Sequence, residues 1–297
     1  MTFSSQASSQ ASSQAGSQAS SQALLGVICA AATDAARARE FAALLELPLL
    51  DPCTVLQDLP RGHLVLEVAE GSPRIRLTGR GVPGPVTAGF EDVALAARRR
   101  AGHNELLGRA VAWKPGRAPR ILDATGGFGR DAFVLADLGC EVEVCEREPV
   151  MALLLGEAIT RATQSDDAWL RQVSSRMQLH ACDARTLDKA GLQYYDVIYL
   201  DPMFPLDRKA APAKEMQLLH QLISTREASS DSSGNYESQS ADLLAWACAQ
   251  AVARVVVKRP RRAPELAGRT PGHALRGRSV RFDVYPLRTP QDVRSPA

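Results

Sequence analysis

RILDATGGFGRDAFVLADLGCEVEVCER, residues 120–147, decides the fold. Its opening apolar residues predict a strand over 120–124. The stretch Asp123-Ala124-Thr125-Gly126-Gly127-Phe128-Gly129-Arg130-Asp131 then makes a glycine-rich turn into a helix over 129–138. A second apolar run predicts a strand over 141–145, closed by Glu146. Strand, turn, helix and strand in this order are the unit of a parallel sheet. Glycines at such a turn let the backbone approach a ligand closely, and the free N–H groups of the helix start suit a carboxylate or phosphate. Glu146 ends the second strand, where a carboxylate can accept both hydroxyls of a ribose. The two features together point to a nucleoside-containing cofactor. The glycine spacing is not the G-x-G-x-x-G of dinucleotide folds and no second mononucleotide half follows, which disfavours NAD and favours S-adenosylmethionine.

Outward from this unit the same rhythm continues. A helix is expected over 149–163, short strands over 177–180, 197–200 and 252–258, and helices over 213–223 and 241–250. Alternation of this kind means a parallel sheet covered on both faces. Runs at 273–276 and 280–287 predict an antiparallel hairpin at its edge. Toward the amino terminus, a strand over 24–31 precedes Thr33, a candidate N-cap for a helix running to Leu47, with Pro48 after the stop. Runs at 63–68 and 74–78 flank Glu70-Gly71-Ser72-Pro73, a hairpin signature. The expected division is a Ser/Gln/Ala tail over 1–22, a small α+β lobe over 23–109 and an α/β domain over 110–290 carrying a flexible Ser-rich insertion over 224–240.

The 297 residues are 45% hydrophobic and 23% charged, which excludes collagen, coiled-coil and wholly disordered classes. No run reaches the roughly 18 apolar residues of a spanning helix. The apolar run at 23–32 has no Lys or Arg before it, the first being Arg37, so it is read as a strand and not as a signal-peptide core. No membrane association is expected. Six scattered cysteines without a CxxC pair suggest neither a metal site nor a disulfide framework, and fit a reducing cytoplasm. The net charge is only +2, yet Arg254 to Arg288 holds ten Lys or Arg against Glu265 and Asp283. That is the electrostatic footprint of a polyanionic partner such as nucleic acid.

Asp201-Pro202-Met203-Phe204-Pro205 follows the 197–200 strand, at the carboxyl end where ligands bind in such folds. An exocyclic amine on a nucleobase is a poor nucleophile because its lone pair is delocalised into the ring. Asp201 and the Pro202 carbonyl can accept its two N–H bonds while Phe204 stacks on the base, so these three are the candidate catalytic residues. Lys258 and Arg259 end a strand on the same edge and are candidates for substrate binding. Lys214 and Arg99, the latter within Arg98-Arg99-Arg100, are further candidates for phosphate contact.

The blocks Asp123 to Asp131, Glu146-Arg147, Tyr199-Leu200-Asp201-Pro202-Met203-Phe204-Pro205, Lys214-Glu215-Met216 and Val255-Val256-Val257-Lys258-Arg259-Pro260 resemble the bacterial ribosomal RNA small subunit methyltransferase J family. The resemblance implies a class I S-adenosylmethionine-dependent methyltransferase domain, Rossmann-like, mostly parallel with an antiparallel edge hairpin, behind a small N-terminal α+β lobe. It implies methyl transfer to N2 of one guanine in 16S rRNA of the small ribosomal subunit, without a metal, in the cytoplasm. It places cofactor contacts at Arg130, Asp131, Glu146, Arg147, Cys182, Asp183 and Asp201, with Asp183 approaching the adenine amino group; Asp123, Gly127 and Gly129 of the glycine-rich turn are the further candidates for cofactor binding. The chain departs from the family over 97–109, where a glycine-rich stretch is reduced to Gly102 and Gly108. An amino-methyltransferase acting on DNA adenine or cytosine shares the Asp-Pro-aromatic logic, and an RNA-binding module without turnover is the alternative outside enzymes.

Overall fold

Short apolar runs alternating with helices leave the chain one economical arrangement, a sheet whose two faces are both covered. The computed structural model describes residues 24–91, 105–187, 195–202 and 236–287. A small sheet is built from β1 (Leu24–Cys29), β2 (Leu64–Ala69) and β3 (Ser72–Leu77), with α1 (Ala35–Leu44) between the first two strands. β1 pairs parallel with β2, and β2 pairs antiparallel with β3. The hairpin turn is tighter than the sequence predicts. Glu70 and Gly71 alone form it, with φ of 54° and 72°, and Ser72-Pro73 already belongs to β3. Two consecutive residues at positive φ match the twist of a two-residue hairpin. The Gly71 N–H is fixed by Asp34 Oδ1 at 2.8 Å.

The large sheet contains β4 (Ile121–Asp123), β5 (Val142–Cys145), β6 (Met177–His180), β7 (Val197–Leu200), β8 (Arg254–Pro260), β9 (His273–Arg276) and β10 (Val280–Pro286). Their order is β6-β5-β4-β7-β8-β10-β9. The first five strands in that order are mutually parallel, and β10 is antiparallel to both β8 and β9. This is the mostly parallel sheet with an antiparallel edge hairpin expected from the sequence. Helices α2 (Glu105–Ala110), α3 (Arg130–Asp137), α4 (Pro149–Thr163), α5 (Ala168–Ser174) and α6 (Tyr236–Gln250) complete the described elements. Strand order reverses between β4 and β7, and the crevice beyond their carboxyl ends is where a ligand belongs in an open α/β sheet.

Alternate residues of the central strands face opposite layers. Ile121, Val144, Val197, Tyr199 and Val256 join one cluster, while Leu122, Cys145, Ile198, Leu200, Val255 and Val257 join another with Leu244 and Ala247 of α6. The first cluster runs without a break into the small lobe through Phe41, Leu66, Ile75 and Phe90. Phe90 stacks on Phe133 of α3 at 4.5 Å, and Phe133 meets Trp169 of α5 edge-on at 5.5 Å. The lobe therefore shares its core with the large sheet.

Several elements differ from the sequence reading. The helix expected from Thr33 to Leu47 begins with one 3-10 turn at Ala32–Asp34 and ends at Leu44, before Glu46 takes a positive φ of 54°. α5 was not expected; Asp167 caps it by accepting the Trp169 N–H at 2.8 Å. α6 starts at Tyr236, so residues 236–240 of the expected insertion are helical and Ser240 is buried. The tail over 1–22, the helix over 213–223 and the altered segment up to residue 104 lie outside the described residues. Among the described residues no helix is long and apolar enough to cross a membrane.

Candidate active site

The 124–129 turn is tied down at both ends by neighbouring strands. The Ala124 N–H reaches the Tyr199 carbonyl at 3.0 Å and the Gly126 N–H reaches the Cys145 carbonyl at 2.8 Å. Two of its three glycines are required by packing. A Cβ on Gly126 would lie 2.7 Å from Val144 Cγ1 and 3.1 Å from the Cys145 carbonyl. A Cβ on Gly129, the left-handed N-cap of α3, would lie 2.5 Å from Leu155 Cδ1. Gly127 differs: a Cβ there would meet nothing closer than the Thr125 carbonyl at 3.9 Å, so this part of the turn faces open space. Its N–H donates to Glu146 Oε2 at 2.7 Å, and Glu146 Oε1 accepts the Glu148 N–H at 2.8 Å. Burial pushes Glu146 above the usual carboxylate range, opposed by those two N–H groups. A carboxylate has about four acceptor positions, so Glu146 keeps capacity for hydroxyl donors.

At the carboxyl ends of the central strands, two carboxylates converge on one ammonium. Lys258 Nζ donates to Asp131 Oδ2 at 2.6 Å and to Asp201 Oδ2 at 2.8 Å. Register explains the meeting: Val257 pairs with Leu200, which sets Lys258 level with Asp201 on the neighbouring strand. Asp131 Oδ2 also accepts the buried Tyr199 hydroxyl at 2.7 Å. Asp123 sits beneath, 2% exposed, accepting from the Thr125 N–H at 3.0 Å and the Thr125 hydroxyl at 3.3 Å. That hydroxyl in turn accepts the Asp201 N–H at 2.7 Å. Thr125 thus couples the glycine turn to the start of the Asp-Pro motif.

Each titratable group is displaced for a stated reason. Burial raises Asp123 to about 7, with the Thr125 N–H opposing and the charges of Asp131 and Asp201 adding. Burial also raises Asp201, and the Lys258 ammonium is the main force holding it down. For Lys258, burial alone would favour the neutral amine, but Asp131 and Asp201 outweigh it and push the group upward. Burial and Asp131 keep Tyr199 a protonated donor.

The structure gathers Asp123, Gly127, Gly129, Asp131, Glu146, Asp201, Pro202 and Lys258 along one edge of the sheet. Arg130 is exposed at the start of α3. Exposed Arg147 donates to Gln239 Oε1 at 3.1 Å. Cys182 and Asp183 follow β6, and Asp183 caps a 3-10 turn while its carboxylate holds Arg185 at 2.9 and 2.6 Å. The Arg185 hydrogen bonds, against some desolvation, keep Asp183 below the usual carboxylate range. Two cations are placed differently from the expectation of direct substrate contact. Lys258 is engaged by the carboxylates, and Arg259 is 4% exposed with its guanidinium donating to the Pro264 carbonyl at 2.6 Å. Phe204, Lys214 and Arg99 lie outside the described residues. Thr125 and Tyr199 stood inside the quoted blocks without an assigned role. A fully buried tyrosine seeks a partner for its hydroxyl, which was the signal for Tyr199.

The donor set fits S-adenosylmethionine. Among the described residues the crevice offers the carboxyl groups of Asp123, Asp131, Asp201 and Glu146 beside Lys258, acceptors that suit the amine and sulfonium of this cofactor. Glu146 and Asp183 end adjacent strands, linked where the Glu146 N–H meets the His180 carbonyl at 3.1 Å. There they offer acceptors for ribose hydroxyls and an adenine amine. Among the described residues no group of three or more His, Cys, Asp or Glu could hold a metal ion.

Comparison with known proteins gives a family match over residues 54–287, described as "Putative SAM-dependent methyltransferase". A ribosomal RNA small subunit methyltransferase J from Stutzerimonas stutzeri is 39% identical over 264 residues, covering 86% of this chain and 93% of the relative. Its namesake from Cellvibrio japonicus is 42% identical over 232 residues, covering 75% and 83%. Among solved structures, a SAM-dependent methyltransferase from Neisseria gonorrhoeae is 30% identical with a TM-score of 0.64, covering 91% of this chain and all of the other.

Proposed function

This chain belongs to the ribosomal RNA small subunit methyltransferase J family of SAM-dependent methyltransferases, and on that premise we propose that it methylates the exocyclic N2 of a guanine in 16S rRNA. The observation that carries the reading is Asp201. Its carboxylate stands at the carboxyl end of a central strand, clamped by Lys258 at 2.8 Å, with its backbone N–H held by Thr125. Bound S-adenosylmethionine supplies a methyl group made electrophilic by its sulfonium.

Everything else falls to the chain's own residues. Asp201 accepts one N–H of the amine and the Pro202 carbonyl accepts the other, which orients the nitrogen lone pair out of the ring plane. As the new C–N bond forms and the methyl–sulfur bond breaks, the electron pair of the latter leaves with sulfur, so positive charge grows on the nitrogen and the nearby carboxylate stabilises it. The nitrogen's extra proton then passes to the Asp201 carboxylate and from there to water. Asp201 has to be ionised for this role; burial raises its pKa, and the Lys258 ammonium opposes that rise. Phe204 would stack on the base after the guanine leaves its helix stack. Glu146 and Asp183 serve the ribose and adenine, and Asp123 braces the turn through Thr125.

Asp201→Ala separates this reading from a binding module without turnover. We expect cofactor affinity to change by only a few fold, while turnover on small ribosomal subunits falls by about 100-fold or more, the scale of removing one positioned electrostatic group. Parallel losses in binding and turnover would show that Asp201 merely shapes the pocket.

A further inference from the structure

The ten basic residues from Arg254 to Arg288 do not form one undivided patch. Arg254 donates to the Ala110 carbonyl at 3.4 Å, Lys258 serves the carboxylates, and Arg259 and Arg281 are buried. Arg288 lies outside the described residues. Of the five left exposed, Arg269 lies over the Tyr285 ring at 5.8 Å, whereas Arg261, Arg262, Arg276 and Arg278 gather elsewhere.

Register puts those four beside the active site. Val280 pairs with Pro260 and the Arg261 N–H reaches the Ser279 carbonyl at 2.9 Å, so the 261–262 pair adjoins the turn carrying Arg278. Arg276 pairs with Arg281, which pairs with Arg259 on β8. Arg261, Arg262 and Arg278 therefore lie just past the end of β8 that carries Lys258, and Arg276 lies level with Arg259 two strands away on β9. At about 3.3 Å per residue, the Arg261 backbone is roughly 10 Å beyond Lys258.

The loop that bears the pair is rigidly built. Buried Arg281 is held by Asp283 at 2.8 and 3.0 Å and donates to the carbonyls of Arg261, Ala263 and Pro264 at 3.2, 2.6 and 3.2 Å. Arg259 adds its own bond to the Pro264 carbonyl. Two inward guanidiniums thus fix the backbone that turns two others outward. None of the four outward arginines has an ion-pair partner among the described residues.

We propose that Arg261, Arg262, Arg276 and Arg278 form a preorganised rim that grips phosphates of the RNA strand flanking the target base. The inference rests on the RNA-methyltransferase reading and adds to it the surface that holds the strand. Guanidinium forks match phosphate oxygens, and a fixed loop spares the ordering entropy that a mobile basic tail would lose. Such contacts position the strand without reading its sequence.

The test is binding of naked 16S rRNA by the full chain across 50–200 mM KCl, with cofactor affinity and methyl transfer to small subunits measured alongside. The variant combines Arg261→Ala, Arg262→Ala, Arg276→Ala and Arg278→Ala. A control combines Arg39→Ala, Lys114→Ala and Arg117→Ala, exposed cations away from the rim, the last two preceding β4 at the opposite sheet edge. At about 0.7 per single-strand phosphate contact, the rim variant should lower the slope of log affinity against log salt by about 3. Its affinity at 50 mM should fall tenfold or more, KM should rise with kcat retained, and cofactor binding should stay unchanged. The control should behave as wild type. An unchanged slope in the rim variant, or an equal loss in the control, would overturn the proposal. If the wild type bound RNA through the rim yet methylated no RNA, the rim would stand and the methyltransferase reading would fail.

Discussion

Replacing Lys258 with methionine keeps the length of the side chain and removes the ammonium that clamps two carboxylates. Asp131 and Asp201, at 2.6 and 2.8 Å from it, would then lose the ammonium they share. Removing one partner from a fully buried ion pair costs about 3–5 kcal/mol. Here the lysine side chain is 25% exposed and that of Asp201 37%, so water screens part of the loss and about 2 kcal/mol of stability is the expected cost. The effect on turnover should be larger. A displaced or protonated Asp201 no longer orients the amine, and a misplacement of about 1 Å costs on the order of 100-fold in rate. Without the lysine, Asp201 binds its proton more readily. Because the ionised form is the active one, the acidic limb of the rate profile should move to higher pH. Single-turnover methylation of small subunits from pH 5.5 to 9 reads both effects, and Lys258→Arg should recover part of the rate by restoring a charge. An unaltered rate and an unmoved acidic limb in Lys258→Met would refute the clamp.

Two further outcomes follow from the same geometry. Asp123 titrates near 7 when folded and near 3.8 when not, so the folded state carries an extra proton between those values and loses stability as pH rises through them. The slope is about 1.4 kcal/mol per pH unit. Asp123→Asn should flatten the change in melting temperature between pH 5 and pH 7, and an unaltered slope would assign the effect to other groups. Phe90→Ala should destabilise the lobe and the sheet together by about 3–4 kcal/mol, because this fully buried ring stacks on Phe133 across the shared core. Two separate unfolding transitions in that variant would contradict a common core.

Much of this fold was legible because its central strands are buried on both faces and read as plain apolar runs. β6, β7 and α4 fall at the expected boundaries, helped by Pro149 at the first turn of α4. α5 escaped because seven residues are too few to display a helical period. The start of α6 escaped because Ser-rich composition outweighed local pattern. In the site, the glycine turn, Glu146 and Asp201 announced themselves by position, whereas the placement of Lys258 did not. A lysine at a strand end on this edge reads as a substrate-binding cation, and the pairing of Val257 with Leu200 instead brings it level with Asp201, whose carboxylate it engages. The basic run misled in the same way. Arg281 and Asp283, two apart on one strand, share a face and pair with each other inside the protein.

The most direct measurement of the central claim is transfer of labelled methyl from S-adenosylmethionine to small ribosomal subunits that lack the modification. Naked 16S rRNA, large subunits and DNA serve as parallel substrates, and the products are digested to nucleosides. Label recovered as N2-methylguanosine from 16S rRNA alone is the predicted result; label in DNA, or on another atom of the RNA, would contradict it.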